Sequence, residues 1–202
     1  MKTLSSIIIL CIVLCLNANS QDLGEITDAR DGVKYKTVKL KITLEGGIFV
    51  YRNWIAENVR FKSPTSKCYG DEPAYCFKFG RLYTYQDALK ACPAGFHLSN
   101  TKEWSELISS YGGQYEIGGA LKEGGETKLE VIMAGFSDVN GVYSDVGKSA
   151  HFWDAGLEND EVKGAKKFAG LYSIHRAHNE ISTVNIRTLN HNSVRCVEDY
   201  HY

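Results

Sequence analysis

The chain has 202 residues, 44% of them apolar, with 23 Lys and Arg against 24 Asp and Glu for a formal charge of −1. That balance excludes a partner captured by bulk charge, so neither nucleic acid nor an anionic membrane surface is expected, and the apolar share excludes a disordered chain. The length suits one domain with a full core.

Met1 to Ser20 reads as a secretory leader: an early lysine, an apolar run from Ile7 to Leu16, and small residues at Ala18 and Ser20. Leucine precedes both Cys11 and Cys15 where a lipobox needs a small residue, so cleavage after Ser20 is expected rather than lipidation. The mature chain, 21–202, then carries no integral membrane segment, because no other stretch approaches eighteen apolar residues. Loss of Lys2 takes the 23 basic residues to 22 against 24 acidic.

Asp22 to Arg30 is an entry segment. In KYKTVKLKITLE, the apolar Tyr35, Val38, Leu40, Ile42 and Leu44 alternate with polar residues as in a half-buried strand, and Gly46-Gly47 turns the chain into a second strand leading to a core Trp54. Gly70 to Pro73 form a turn. Thr84 with Asp87 offers an N-cap for a helix carrying Ala88, Leu89 and Ala91, which Pro93 and Gly95 stop at Cys92. After a strand-like Phe96 to Leu98, Asn100 and Glu103 form a capping pair before Trp104, Leu107, Ile108 and Tyr111 at helical spacing, and Gly112-Gly113 ends that helix.

Tyr115 to Gly125 is glycine-rich and irregular, and LEVIMAGFSDVNGVYS reads as a hairpin around Asn140-Gly141. Phe152-Trp153 begins a further apolar segment. FAGLYSIH, ISTVNIRT and SVRCVED read as three consecutive antiparallel strands. Two helices set early among mostly antiparallel short strands make an α+β domain.

The strings CYGDEPAYC, GRLYTYQDALKACPAGFHLSNTKEW and SVRCVED, in that order, resemble the Fibrobacter succinogenes major paralogous domain family of secreted bacterial domains. TDARDGVKYKTVKL and WIAENVRF are similar to that family's start, so the likeness runs from Ile26 to Asp199. HLSNTKEW lacks the family's usual proline, KITLEGGIFVYR looks inserted before Trp54, and FWDAG replaces a serine-rich segment. The resemblance implies a C-type-lectin-like fold over a single domain, 21–202, with the chain ends together and a long irregular region forming one face.

Four cysteines remain after the leader, an even number that argues for two disulfides in an exported chain. Three pairings are formally open. Cys68 with Cys76 flanks a turn, and Cys92 with Cys196 would tie the end of the first helix to the last strand, similar to a bridge of the lectin-like fold; this pairing is the expected one.

Chemical signals are sparse. His175 and His178, three apart with Glu180 near, are not expected to share a face; His97 and His191 stand singly; Glu158, Asp160 and Glu161 lack EF-hand spacing. Glu72-Pro73-Ala74 lacks the asparagine of the lectin calcium motif. No metal and no cofactor are expected. There is no G-x-S-x-G elbow, P-loop or dinucleotide fingerprint, and Asp138 with Asp145 is a pairing any acidic-rich chain offers by chance. Only Cys196 lies late, where formylglycine-generating oxidases of the related fold need a cysteine pair.

The reading is therefore a non-enzymatic binding or surface-interaction module, secreted, at the cell surface or periplasmic, with a glycan or protein ligand. A structural domain without small ligand, or a polysaccharide hydrolase, are the alternatives. Tyr143, Trp153, Asp154 and Asn159 are the expected ligand contacts, aromatics beside carboxylate and amide. Asp154 and Asn159 are expected to tolerate alanine, and Trp104 is not.

Overall fold

The computed structural model describes residues 22–156 and 167–200. The expected leader lies outside the described residues, as do Asn159 and the acidic run at Glu158, Asp160 and Glu161. The fold is α+β. Among the described residues ten strands, β1 (Asp22–Thr27), β2 (Lys34–Thr43), β3 (Phe49–Ile55), β4 (Phe96–Leu98), β5 (Ala134–Ser137), β6 (Tyr143–Val146), β7 (Ser149–Trp153), β8 (Phe168–His175), β9 (Ile181–Arg187) and β10 (Cys196–Glu198), form two sheets. The first has the order β1-β2-β3-β10-β4 and the second β6-β5-β7-β8-β9. Every pairing is antiparallel except β5 with β7.

The β2 alternation reverses midway. Tyr35 and Thr37 are buried on one face, then Val38, Leu40 and Ile42 on the other, so the strand serves two apolar clusters in turn. Val38 pairs with Trp54, and Trp54 meets Trp104 edge-on with centroids 5.3 Å apart. Trp104 also stacks on Tyr172 of β8 at 4.9 Å, which puts one indole between the two sheets. Its helix, Thr101–Ser110, begins with the expected capping box: the Asn100 side chain accepts from Glu103 N, and the Glu103 carboxylate accepts from Asn100 N.

Four α-helices occur among the described residues: α1 (Pro73–Phe79), α2 (Tyr85–Ala88), α3 (Thr101–Ser110) and α4 (Ile117–Leu121). The expected turn before Cys76 is shorter than the sequence suggests, a single 3-10 turn at Tyr69–Asp71, after which Pro73 opens α1 in its first turn. α1 stops at Gly80, which takes φ 78° and where a Cβ would stand 2.5 Å from Asn58 Cβ. The expected Thr84–Asp87 cap does not form. The Asp87 carboxylate instead accepts from Ser63 Oγ, Thr65 N and Thr65 Oγ1, so α2 is one turn and Leu89 faces solvent while Ala88 and Ala91 are buried. α4 occupies the stretch read as irregular because Ile117 and Leu121, one turn apart, both reach the core.

The hairpin around Asn140-Gly141 is present as β5–β6, and β8–β9 pair as expected. β10 does not join them. It inserts between β3 and β4 in the other sheet, and Cys196, beside Val197 opposite Trp54, bridges to Cys92 just past α2. Cys68 bridges to Cys76. Among the described residues no helix is long and apolar enough to cross a membrane.

Candidate functional site

Of the three expected contacts among the described residues, one is where a ligand could reach it. Trp153 is fully buried: its indole N–H donates to Tyr83 O at 2.7 Å and its ring lies edge-on to Tyr85. Phe152 and Trp153 end β7. Asp154 is 8% exposed and accepts from Thr101 Oγ1 and Gly156 N, fastening the start of α3. Both are corrections to the surface role expected of them, and they share a cause: a short apolar run does not reveal which side is covered. Asn159 lies outside the described residues.

Tyr143 is different. It starts β6, and its hydroxyl donates to Asp71 Oδ1 at 2.6 Å, reaching the loop that Cys68 and Cys76 close. Burial, then the Asp71 carboxylate beside it, pushes the phenol up to about 12, so it stays a donor at physiological pH. Its ring stands 5.2 Å from that of Tyr69, Tyr69 stands 6.2 Å from Tyr75, and Tyr75 meets Phe79 edge-on at 5.3 Å. Phe79 is buried and anchors the row, while Phe77 on the same short helix is 82% exposed. The Arg81 guanidinium donates to Cys76 Sγ at 2.9 Å and to Ser66 Oγ, tying the base of the loop to its flank.

The pinned loop thus sets Tyr69 and Tyr75 beside Tyr143 of β6, with Asp71 bonded to the Tyr143 hydroxyl. The neighbouring β5–β6 turn is stiffened from within, since the Asp138 carboxylate accepts from Asn140 N and Val142 N and is held below its usual range by those bonds. Asn140 is left exposed at the tip. The missed residues Tyr69, Tyr75 and Phe77 carried a sequence signal, aromatics crowded into the CYGDEPAYCFKF stretch, which the cysteines overshadowed.

The model of the Fibrobacter succinogenes major domain matches residues 51–198. The chain belongs to the Fibrobacter succinogenes major domain family. No curated protein and no solved structure matches it. The family match takes in β3 from Tyr51 through β10, hence the tyrosine cluster and both disulfides, and leaves out β1 and β2, which the sequence likeness had included from Ile26.

Elsewhere in this Fibrobacter major domain several histidines are held by hydrogen bonds from both sides. His97 presents Nε2 to Glu103 Oε1 at 2.8 Å and Nδ1 to Asp199 Oδ1 at 2.7 Å, and Tyr200 donates to the same Glu103 oxygen. His151 sits between Ser149 Oγ and Ser173 Oγ, and burial lowers it to about 4. His175 and His178 do face each other, ring centroids 4.9 Å apart, contrary to expectation; among the described residues no third metal-binding side chain joins them. A groove of about 540 Å³ between β3 and α3 is lined by Leu44, Val50, Arg52, Lys102 and Glu106, with Arg52 already paired to Glu106 and stacked on Tyr200.

Proposed function

We propose that this chain is an exported, non-enzymatic binding module of C-type-lectin-like fold that takes a glycan on its tyrosine cluster. The observation that carries the reading is the Tyr69–Tyr143 ring pair, fixed by the Tyr143–Asp71 hydrogen bond on a disulfide-closed loop. Flat apolar rings beside a carboxylate and an exposed amide suit the mixed apolar and hydroxyl faces of a sugar, and pre-fixed side chains keep the ordering cost of binding small.

Export is supported by the leader-like N-terminus and by two disulfides, which persist in oxidising compartments. The lectin-like topology is supported by the Cys92–Cys196 bridge from helix to last strand and by β1 and β10 sharing one sheet. A non-catalytic role is supported by His97, whose two ring nitrogens are both occupied by carboxylates and leave no lone pair for a base.

A glycan-array screen of the secreted protein, with and without calcium, tests the reading. Binding that Tyr69→Ala removes is the expected result. An array without hits, or hits that Tyr69→Ala leaves intact, refutes it.

A further inference from the structure

The first sheet leaves part of one face bare, and the cause lies in the β2 reversal. Up to Thr37 that face is covered by the cluster containing Tyr35, Ile55 and Leu98; beyond it, the buried residues point the other way, toward α3. Lys39 and Lys41 on β2, with Phe49 and Tyr51 on β3, therefore stand together in solvent, the two rings 51% and 55% exposed.

These four side chains form a single surface. Lys41 Nζ lies 4.2 Å from the Phe49 ring centre, Lys39 Nζ lies 5.5 Å from that of Tyr51, and the rings meet edge-on at 6.0 Å. Of the basic residues on β2 and β3, Lys39 and Lys41 stand on this face, Lys34, Lys36 and Arg52 alternate to the other, and Asp22 of β1 stands opposite Lys39. Lys34 is paired with Glu25 and Arg52 with Glu106, whereas among the described residues no carboxylate lies within salt-bridge distance of Lys39 or Lys41. Asp22 and Glu198 share a shallow hollow with Lys39 and Asn53; Lys41, farther along the hairpin, is not part of it.

We infer that this face, Lys39, Lys41, Phe49 and Tyr51, binds an anionic polysaccharide, one bearing uronate or sulfate groups. An apolar protein partner would strip two ammonium groups of water and return no counter-charge, and a neutral sugar would use the rings but leave the ammoniums idle. A polymer whose flat sugar faces alternate with anions satisfies both. The lysines are free to turn to it, because a cation–π contact at an exposed site is weak. The surface shares no residue with the tyrosine cluster. Lys39, Lys41 and Phe49 also precede the family match, which begins at Tyr51.

The test is retention of the intact secreted protein by polygalacturonate, by dextran and by anionic phosphatidylglycerol vesicles, at low and high salt. The expected result is retention by polygalacturonate alone, weakened about tenfold or more by salt as exposed charges are screened. The Lys39→Glu/Lys41→Glu and Phe49→Ala/Tyr51→Ala variants, all at exposed positions, each lose it. Tyr69→Ala retains it, which separates this claim from the glycan reading of the tyrosine cluster. Retention by vesicles but not by polygalacturonate, equal retention by dextran, or undiminished retention of the lysine variant overturns the proposal.

Discussion

Arg195 donates through its guanidinium to Asn58 Oδ1 at 2.8 Å, and neither side chain reaches solvent. The same guanidinium donates to Ile55 O of the first sheet and Leu129 O of the central loop, and lies 5.2 Å from the Phe152 ring of the second sheet. A cation placed among neutral acceptors is costly to bury, and burial lowers it to about 9. Its return is that one side chain satisfies acceptors from three segments.

Arg195→Met should therefore destabilise by about 3 kcal/mol or more, because three buried acceptors lose charged donors. Chemical denaturation measures it. An Arg195→Met domain with an unchanged midpoint would show that the acceptors find other donors.

The pH dependence should have two arms of opposite sign. Hydrogen bonding to Glu103, against desolvation, raises His97; its stabilisation is present below the ordinary imidazole value of about 6.5 and is lost as pH rises through the raised value. Burial lowers His151 to about 4, so its contribution is present above 6.5 and is lost as pH falls toward 4. Denaturant midpoints across pH 4–9 should peak between these windows. His97→Gln should flatten the alkaline arm and leave the acid arm; an unchanged alkaline arm would remove His97 as its source.

Asp154→Ala should lower stability by about 1–3 kcal/mol, since Thr101 Oγ1 and Gly156 N lose their buried acceptor. The sequence alone suggests a neutral loop change there. A thermal melt within error of wild type would restore that view.

Loss of the Cys92–Cys196 bridge should cost more than loss of Cys68–Cys76. Their separations are 104 and 8 residues, and in the chain-entropy model these correspond to about 4–5 and roughly 2–3 kcal/mol. Cys196→Ser and Cys68→Ser, compared by urea denaturation, decide the order, and the reverse order would contradict the loop-length argument.

Local codes were legible and long-range ones were not. Asn100 with Glu103, the alternation of β2 and the Asn140-Gly141 turn announce themselves because each is completed within a few residues. β10 leaving its sequence neighbours to pair with β3 and β4 is a long-range choice that no local pattern encodes. α1 is only seven residues, and its proline and cysteine read as turn chemistry. At the site, Tyr143 was readable as an aromatic beside a turn, but Trp153 and Asp154 could be placed inside only once α2 and α3 were seen to cover them, through Tyr85 edge-on to Trp153 and Thr101 bonded to Asp154.

The glycan claim is tested most directly by backbone amide NMR of the isotopically labelled protein, titrated with the oligosaccharide an array selects. Shifts should concentrate at residues 69–77 and 138–143, saturate with one binding curve, and vanish in Tyr69→Ala while its spectrum stays folded. Shifts confined to the groove at Arg52 and Lys102, or none at saturating sugar, would contradict the account.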